Sequence, residues 1–117
     1  MTSFEKTSKV GISTVSAAGP VFKDMKYDSG KLLANIPFED FPLAIKELIR
    51  VCTFGAQKYA RSSWKTVSNG EQRYQDARAR HFLEVGKDEE SELDHLAHEA
   101  WNCLALLQLK LEKQNQG

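Results

Sequence analysis

Histidine, serine and asparagine side chains near the C-terminal end of the chain are spaced as one face of a helix. Ser91, His95, His98 and Asn102 follow one another at steps of three or four residues, which places them on one side of an α-helix. Buried polar groups need hydrogen-bond partners, so this face could bind a ligand or a metal ion. Alternatively, each side chain is bonded to a neighbouring helix or to water. Because acids lie beside the group, we favour a site.

Carboxylates in two other places could complete such a site. Glu47 lies on an apolar helical line that ends in Lys58, and residues 88–90 are all acidic. Carboxylates on facing helices bind divalent metals in bundles, and protein-bound Mg²⁺ also bridges substrate phosphates. These residues therefore indicate nucleotide or phosphate chemistry. The simpler alternatives are that Glu47 pairs with Arg50 and that the later acids only favour a helix N-terminus.

The segment Phe22–Lys31 has the composition of an anion-binding loop. It contains three lysines and a tyrosine, and its Asp-Ser-Gly sequence indicates a tight turn. The cations could bind an anion while the tyrosine stacks on a ring. An ordinary surface turn is the alternative, because it can have the same composition.

Three main helices, at about 41–59, 71–85 and 90–112, are predicted to position these groups. Apolar residues recur in each at three- and four-residue steps. Ser68–Glu71 resembles a capping box before the second helix, and Gly86 is expected to cap its C-terminus. Trp64 is expected to dock on the bundle. The core stripe predicted for the first helix is Ile45, Leu48, Cys52, Gly55, Ala56 and Tyr59.

The third helix carries a second, fully apolar stripe beside the polar one. Leucines recur along it between Leu96 and Leu111, and a three-helix monomer rarely buries both stripes of one helix. We therefore predict self-association through this region, as a dimer or a tetramer.

Composition indicates one small domain with no nucleic-acid or membrane partner. The 117 residues include 16 basic and 16 acidic side chains, which argues against a nucleic-acid-binding tail or a membrane-surface patch. No apolar run reaches the length of a membrane span, and the N-terminus lacks a signal-peptide core. Cys52 and Cys103 are predicted to be buried free thiols of a reducing compartment, and a disulfide between them is the alternative. We expect a flexible arm at 1–20, one helical domain at 21–113 and a polar tail at 114–117.

Several motifs resemble one known family when they are taken in order. They are Lys26-Tyr27-Asp28-Ser29-Gly30-Lys31, Phe54-Gly55-Ala56-Gln57-Lys58-Tyr59 with Trp64, Arg73-Tyr74 with Ala77 and Arg80-His81, and Glu90-Ser91 with His95-Leu96-Ala97-His98 and Asn102. Over residues 26 to about 109 the chain resembles the phage and bacterial dATP/dGTP diphosphohydrolases, which are related to the MazG-type all-α nucleotide pyrophosphohydrolases.

The resemblance implies a fold, a reaction and a place in the cell. The fold would be an all-α, MazG-like helical bundle with an extended N-terminal arm, and it would form oligomers. The enzyme would hydrolyse a purine deoxynucleoside triphosphate, dGTP or dATP, to the monophosphate and pyrophosphate with Mg²⁺ or, alternatively, Mn²⁺. It would adjust the nucleotide pool in the cytoplasm, which is the host cytoplasm if the protein is phage-encoded.

Individual residues of this sequence receive roles on the same basis. Glu47, Glu90 and His98 are the candidates to surround the metal. Glu84 or Glu90 would accept the proton of the attacking water, and His95 would orient the reacting groups. The substrate is expected to contact Lys26, Tyr27, Lys31, Lys58, Tyr59, Trp64, Arg80, His81 and Asn102.

Two other functions remain open at this point. The first helix offers only Glu47, whereas the MazG-type signature has an EExxE helix. A non-catalytic protein that binds or sequesters a nucleotide would keep the cations and aromatics without needing the carboxylates. A structural helical oligomer would need neither.

Overall fold

A computed structural model of the protein describes residues 30–116. The chain divides into two units, Met1–Leu33 and Ala34–Gly117, and the helices belong to the second. They are α1 (Ile36–Asp40), α2 (Pro42–Lys58), a 3₁₀ turn (Ser63–Thr66), α3 (Gly70–Phe82) and α4 (His95–Gln116). The predicted all-α class is confirmed. None of the helices in this part of the chain is both long and apolar enough to cross a membrane.

Helix boundaries follow local signals in some places and tertiary contacts in others. Proline stands in the first turn of both α1 and α2, where its missing N–H costs nothing. The capping box predicted at Ser68–Glu71 is wrong. Asn69 occupies the N-cap of α3 in a left-handed conformation without a side-chain cap, and Glu71 pairs instead with Lys113 at 3.1 Å.

The last helix begins later than predicted, at His95 rather than Glu90. Residues 83–94 form a loop that backbone hydrogen bonds close: Asp88 donates to the Leu93 carbonyl at 2.8 Å, and His95 donates to the Gly86 carbonyl at 2.9 Å. Gly86 is therefore not the cap of α3, which ends at Phe82. At the other end, α4 continues through Gln116, so residues 114–116 of the expected tail are helical.

Only a small part of the described helices is buried. Val51 on α2 and Ala105 on α4 are the buried apolar residues within 30–116, and Asn102 on α4 is also buried. Val51 belongs to the line of Glu47 rather than to the predicted stripe, of which Ile45 and Leu48 are half-buried while Ala56 is exposed. The line through Val51 is thus the one that packs inwards.

Both cysteines are exposed and free, so the prediction of buried thiols is wrong. Cys52 follows Val51 on α2, and Cys103 follows Asn102 on α4. Each is therefore turned about 100° from a buried neighbour, which directs it away from the packed face.

Trp64 docks on the helices, as predicted. Its ring lies 6.1 Å from that of Tyr74 on α3 and 5.6 Å from that of Trp101 on α4, both in edge-to-face geometry. The Tyr74 hydroxyl donates to the Trp64 carbonyl at 2.6 Å. This aromatic cluster anchors the segment between α2 and α3 to the α3–α4 pair.

Candidate active site

Three histidines meet where α3 ends and α4 begins. His81 lies in the last turn of α3, and His95 and His98 lie in the first turns of α4. The Nδ1 atoms of His81 and His95 are 2.9 Å apart. The His81 ring also stacks on that of His98, with centroids 4.7 Å apart and planes inclined by 13°. The antiparallel packing of α3 and α4 thus joins residues 14 and 17 positions apart in the chain.

The loop at 83–94 adds a carboxylate and a hydroxyl to the histidines. Asp88 accepts hydrogen bonds from the backbone N–H groups of Glu90 at 3.1 Å and Ser91 at 2.9 Å. Its carboxylate lies close enough to the ring nitrogens of His81 and His95 for one metal ion to reach all three. The Asp88 side chain therefore both shapes the loop and faces the three histidines, which are called the histidine cluster below.

His98 is held in place from three directions. Its Nε2 is 2.7 Å from the Ser91 hydroxyl, and Phe54 of α2 meets its ring edge-to-face at 6.3 Å. The buried Asn102 donates from Nδ2 to the His98 carbonyl at 2.8 Å. The polar stripe of α4 therefore faces inwards and orders the cluster.

A cation from α2 lies at the edge of the cluster. The Lys58 ammonium forms an ion pair with Glu90 at 2.6 Å and lies over the Tyr59 ring, 5.1 Å from its centroid. Both partners are substantially exposed, so an anion arriving from solvent can compete with Glu90 for the ammonium.

The electrostatics favour neutral imidazoles at His81 and His98 and an ionised carboxylate at Asp88. Burial, reinforced by the neighbouring imidazoles, lowers the pKa of His81. Burial also lowers the pKa of His98, although Asp88 opposes the effect. The backbone N–H of Ser91 holds the pKa of Asp88 below its usual range, because a hydrogen bond to the charged form stabilises it. Neutral imidazoles can accept protons or bind metal ions.

The structure joins some of the predicted site residues and separates others. His81, His95, His98 and Asn102 belong to the cluster, and Glu90 with Lys58 and Tyr59 lies at its edge. Glu84 and Arg80 are exposed near the end of α3. Trp64 belongs to the aromatic cluster, two turns of α3 away from His81. Lys31 belongs to the first unit, and Lys26 and Tyr27 lie outside the described residues.

Glu47 does not join Glu90 and His98. It forms an ion pair with Arg50 three residues on, as in the simpler alternative. Lys58 lies eleven positions further along α2, which corresponds to a rise of about 16 Å along the helix axis. The three residues expected to surround one metal ion are thus not gathered around one point.

Two contributors to the cluster had no individual role among the predicted site residues. Asp88 was one of the acids that could complete the site, and Ser91 belonged to the polar stripe that we favoured as a site. An aspartate followed by a serine three residues later, next to a glycine-containing turn, is a pattern that builds side-chain-to-backbone turns. That pattern was the available signal for a loop in which both side chains point to one place.

Comparison with known proteins identifies a family but no individual relative. No curated protein and no solved structure matches the chain. A family model described as "dATP/dGTP diphosphohydrolase, N-terminal" matches residues 22–117. The match includes the whole histidine cluster and the Lys58–Glu90 pair, and the family carries the name of a diphosphohydrolase. Because the match spans most of the 117 residues, the chain belongs to the dATP/dGTP diphosphohydrolase N-terminal family.

Proposed function

We propose that the protein hydrolyses dGTP and dATP to the deoxynucleoside monophosphate and pyrophosphate. The observation that carries the proposal is the family match, because it covers every residue of the histidine cluster. The cluster supports it with groups suited to the reaction: neutral imidazoles, an ionised carboxylate and an exposed ammonium at its edge.

In this reaction water attacks the α-phosphorus and the bond from that phosphorus to the bridging oxygen of the β-phosphate breaks. The new phosphorus–oxygen bond belongs to the monophosphate, pyrophosphate leaves with the bridging oxygen, and a base takes the proton of the water. Glu90 and Glu84 are the proposed bases, and His95 is proposed to orient the water or the substrate. Glu90 is the first choice, because a triphosphate that binds the Lys58 ammonium would release the Glu90 carboxylate from its ion pair.

Substrate recognition is proposed to use the cations and rings around this edge. Lys58 would bind a phosphate, and the exposed Tyr59 beside it offers a ring on which a purine can stack. Arg80 would add a second cation from the end of α3. Lys26, Tyr27 and Lys31 stay predictions as substrate-binding residues.

A protein-held Mg²⁺ does not fit the residues first proposed for it. Glu47 is paired with Arg50 and lies far along α2 from Glu90, which is itself paired with Lys58. Mg²⁺ commonly binds through one or two carboxylates and the substrate phosphates. We therefore propose that Mg²⁺, or Mn²⁺, arrives on the triphosphate as part of the substrate.

The test is hydrolysis in H₂¹⁸O with ³¹P NMR of the products. Incubation of purified protein with dGTP or dATP and Mg²⁺ is expected to yield monophosphate and pyrophosphate, with ¹⁸O in the monophosphate. Label in pyrophosphate would place the attack on the β-phosphorus. Release of inorganic phosphate, or no turnover of either nucleotide, would refute the proposed reaction.

Matched variants test the edge of the cluster. Lys58→Met is expected to raise KM for dGTP, because it removes the cation while keeping most of the length of the side chain. Lys110→Met on the exposed side of α4 is the control and should leave KM unchanged. Glu90→Gln should lower kcat, whereas Glu39→Gln on α1 should not. Full activity of Glu90→Gln would exclude it as the base.

Nucleotide binding without hydrolysis is the second candidate function. The observation that favours it is that the predicted carboxylate set is not assembled around one point. A thermal shift on addition of dGTP without any monophosphate, at all Mg²⁺ and Mn²⁺ concentrations, would establish it over the hydrolase.

We place either activity in the cytoplasm of the cell in which the protein works. Both cysteines are free and exposed, and free thiols persist in reducing compartments. The partners we propose are the purine deoxynucleotide and further copies of the chain.

A further inference from the structure

We infer that His81, Asp88 and His95 bind a first-row transition-metal dication, such as Co²⁺ or Zn²⁺, in preference to Mg²⁺. This centre shares no ligand with the set of Glu47, Glu90 and His98 first considered for Mg²⁺. The inference is independent of nucleotide hydrolysis, because it concerns only the ligand atoms of the folded chain.

The arrangement of the two imidazoles carries the inference. Their Nδ1 atoms point at each other across 2.9 Å, so one nitrogen must be protonated and the other not for a hydrogen bond to form. A dication that replaces this proton would lie to one side of the line between the nitrogens, because two bonds of about 2.1 Å exceed the 2.9 Å separation. Two nitrogens bound to one tetrahedral ion at that length are about 3.4 Å apart, so a widening of about 0.5 Å accommodates the ion.

Asp88 supplies the third ligand from the loop. One of its carboxylate oxygens and the ring nitrogens of His81 and His95 all lie within 4.8 Å of one another. Ligands on opposite sides of an ion are about 4 Å apart at ordinary bond lengths, so small side-chain rotations bring all three into contact. Each of the three residues is half-buried, which leaves an ion a route from solvent.

The donor set decides between classes of metal. Imidazole nitrogen suits Zn²⁺, Co²⁺, Ni²⁺ and Fe²⁺, whereas Mg²⁺ prefers oxygen ligands. Two imidazoles and one carboxylate therefore select a transition metal over Mg²⁺. Three protein ligands also leave coordination positions for water or a ligand oxygen.

Neighbouring groups already hold the ligands in orientation. His98 stacks on the His81 ring and is itself fixed by the Ser91 hydroxyl. The backbone N–H groups of Glu90 and Ser91 hold the Asp88 carboxylate. Such outer partners fix ligand geometry in metalloproteins and affect metal affinity when they are removed. His98 and Ser91 are therefore positioning residues for this centre.

The experiment is calorimetric titration of the chelator-treated, full-length protein with CoCl₂, ZnCl₂ and MgCl₂. We expect one equivalent of Co²⁺ or Zn²⁺ to bind, on the order of 100-fold more tightly than Mg²⁺. Bound Co²⁺ also absorbs visible light, and its spectrum should report nitrogen ligands. Co²⁺ and Zn²⁺ binding no more tightly than Mg²⁺ would overturn the inference.

Asp88→Asn is the decisive variant, because its amide oxygen can still accept the hydrogen bonds of the loop while the charge is lost. It is expected to weaken Co²⁺ binding by about 10- to 100-fold, with an unchanged circular dichroism spectrum. His95→Gln should weaken binding similarly. Asp94→Asn is the matched control: Asp94 caps α4 by accepting from the N–H of Leu96 at 2.8 Å, outside the cluster, and its Co²⁺ affinity should not change.

Wild-type Co²⁺ affinity in both Asp88→Asn and His95→Gln would show that the ion does not bind at this centre. The same conclusion follows if Asp94→Asn weakens binding as much as Asp88→Asn does. The loss would then report a general effect on the loop.

Discussion

The leucine face of α4 is predicted to hold two copies of the chain together, and Leu107→Lys tests it. Leu96, Leu104, Leu107 and Leu111 share one side of the helix and are 69%, 48%, 52% and 45% exposed. The polar stripe of the same helix faces inwards. Since only two apolar residues of the described chain are buried, a partner for these leucines would supply most of the missing core.

The expected effect can be worked from these exposures. Burying a whole leucine side chain stabilises by about 1.5–3 kcal/mol. The exposed parts of the four leucines amount to about two side chains per copy, so covering them in a two-fold dimer contributes about 6–12 kcal/mol. Association itself costs about 4–15 kcal/mol, so no leucine is dispensable. Losing the burial of the exposed half of Leu107 in both copies removes about 1.5–3 kcal/mol from the free energy of association. The dissociation constant of the dimer should therefore rise by at least about 10- to 100-fold.

Size-exclusion chromatography with light scattering measures the outcome over a range of micromolar concentrations. The wild type is expected at two or four times the mass of the chain. Leu107→Lys should move towards the mass of one chain at the same concentration, since a buried lysine adds a desolvation cost to the lost apolar area.

Val85→Lys provides the matched control. Val85 is 96% exposed but lies in the loop between α3 and α4, off the leucine face, so the same change of apolar side chain to lysine should leave the mass unaltered. A monomeric wild type at micromolar concentration would refute the reasoning. So would a Leu107→Lys protein as large as the wild type.

Further outcomes are expected from the described contacts. Tyr74→Phe should lower stability by about 1 kcal/mol, measured by urea unfolding against Tyr59→Phe, because it deletes the hydrogen bond to the Trp64 carbonyl. Burial raises the pKa of Tyr74, so the folded protein keeps the phenol neutral where the unfolded chain ionises it, above about pH 10. Stability should therefore fall as the pH rises from there through the folded-state pKa, and Tyr74→Phe should show less of that fall. Gly55→Ala should raise stability by up to about 1 kcal/mol, because an added Cβ meets no atom within 4 Å. A loss of stability would indicate that another chain packs closely against Gly55. Gly86→Ala should lower the melting temperature, because its φ of +89° is strained for alanine, and an unchanged melting temperature would contradict that strain.

Periodicity was sufficient to predict the class of fold and the existence of the long helices. It could not decide which side of each helix faces inwards. On α2 two lines of residues have helical spacing, and the one through Val51 packs inwards because it meets α4. On α4 the leucines gave the stronger apolar signal, yet the polar stripe with His98 and Asn102 lies inside. That choice depends on tertiary contacts, which a single helical pattern does not contain.

The loop before α4 shows why part of the site was beyond prediction. Acids at 88–90 followed by an apolar helix are the usual signs of a helix start, and they placed that start five residues too early. The loop instead closes through bonds such as the one from His95 N–H to the Gly86 carbonyl. The contact between His81 and His95 likewise depends on the antiparallel packing of α3 and α4. Neither arrangement has a signature in local spacing.

Helix α4 reverses the usual distribution of polar and apolar groups, and the reversal itself argues for a functional site. Enclosing Asn102 and His98 costs free energy unless their polar atoms are bonded, and they use bonds to the helix backbone and to Ser91. A helix serving only as a scaffold gains more by turning its leucines inwards. The polar face is retained inside because it orders the histidines where α3 ends and α4 begins. Self-association would then bury the exposed leucines and add the stability that the polar interior does not supply.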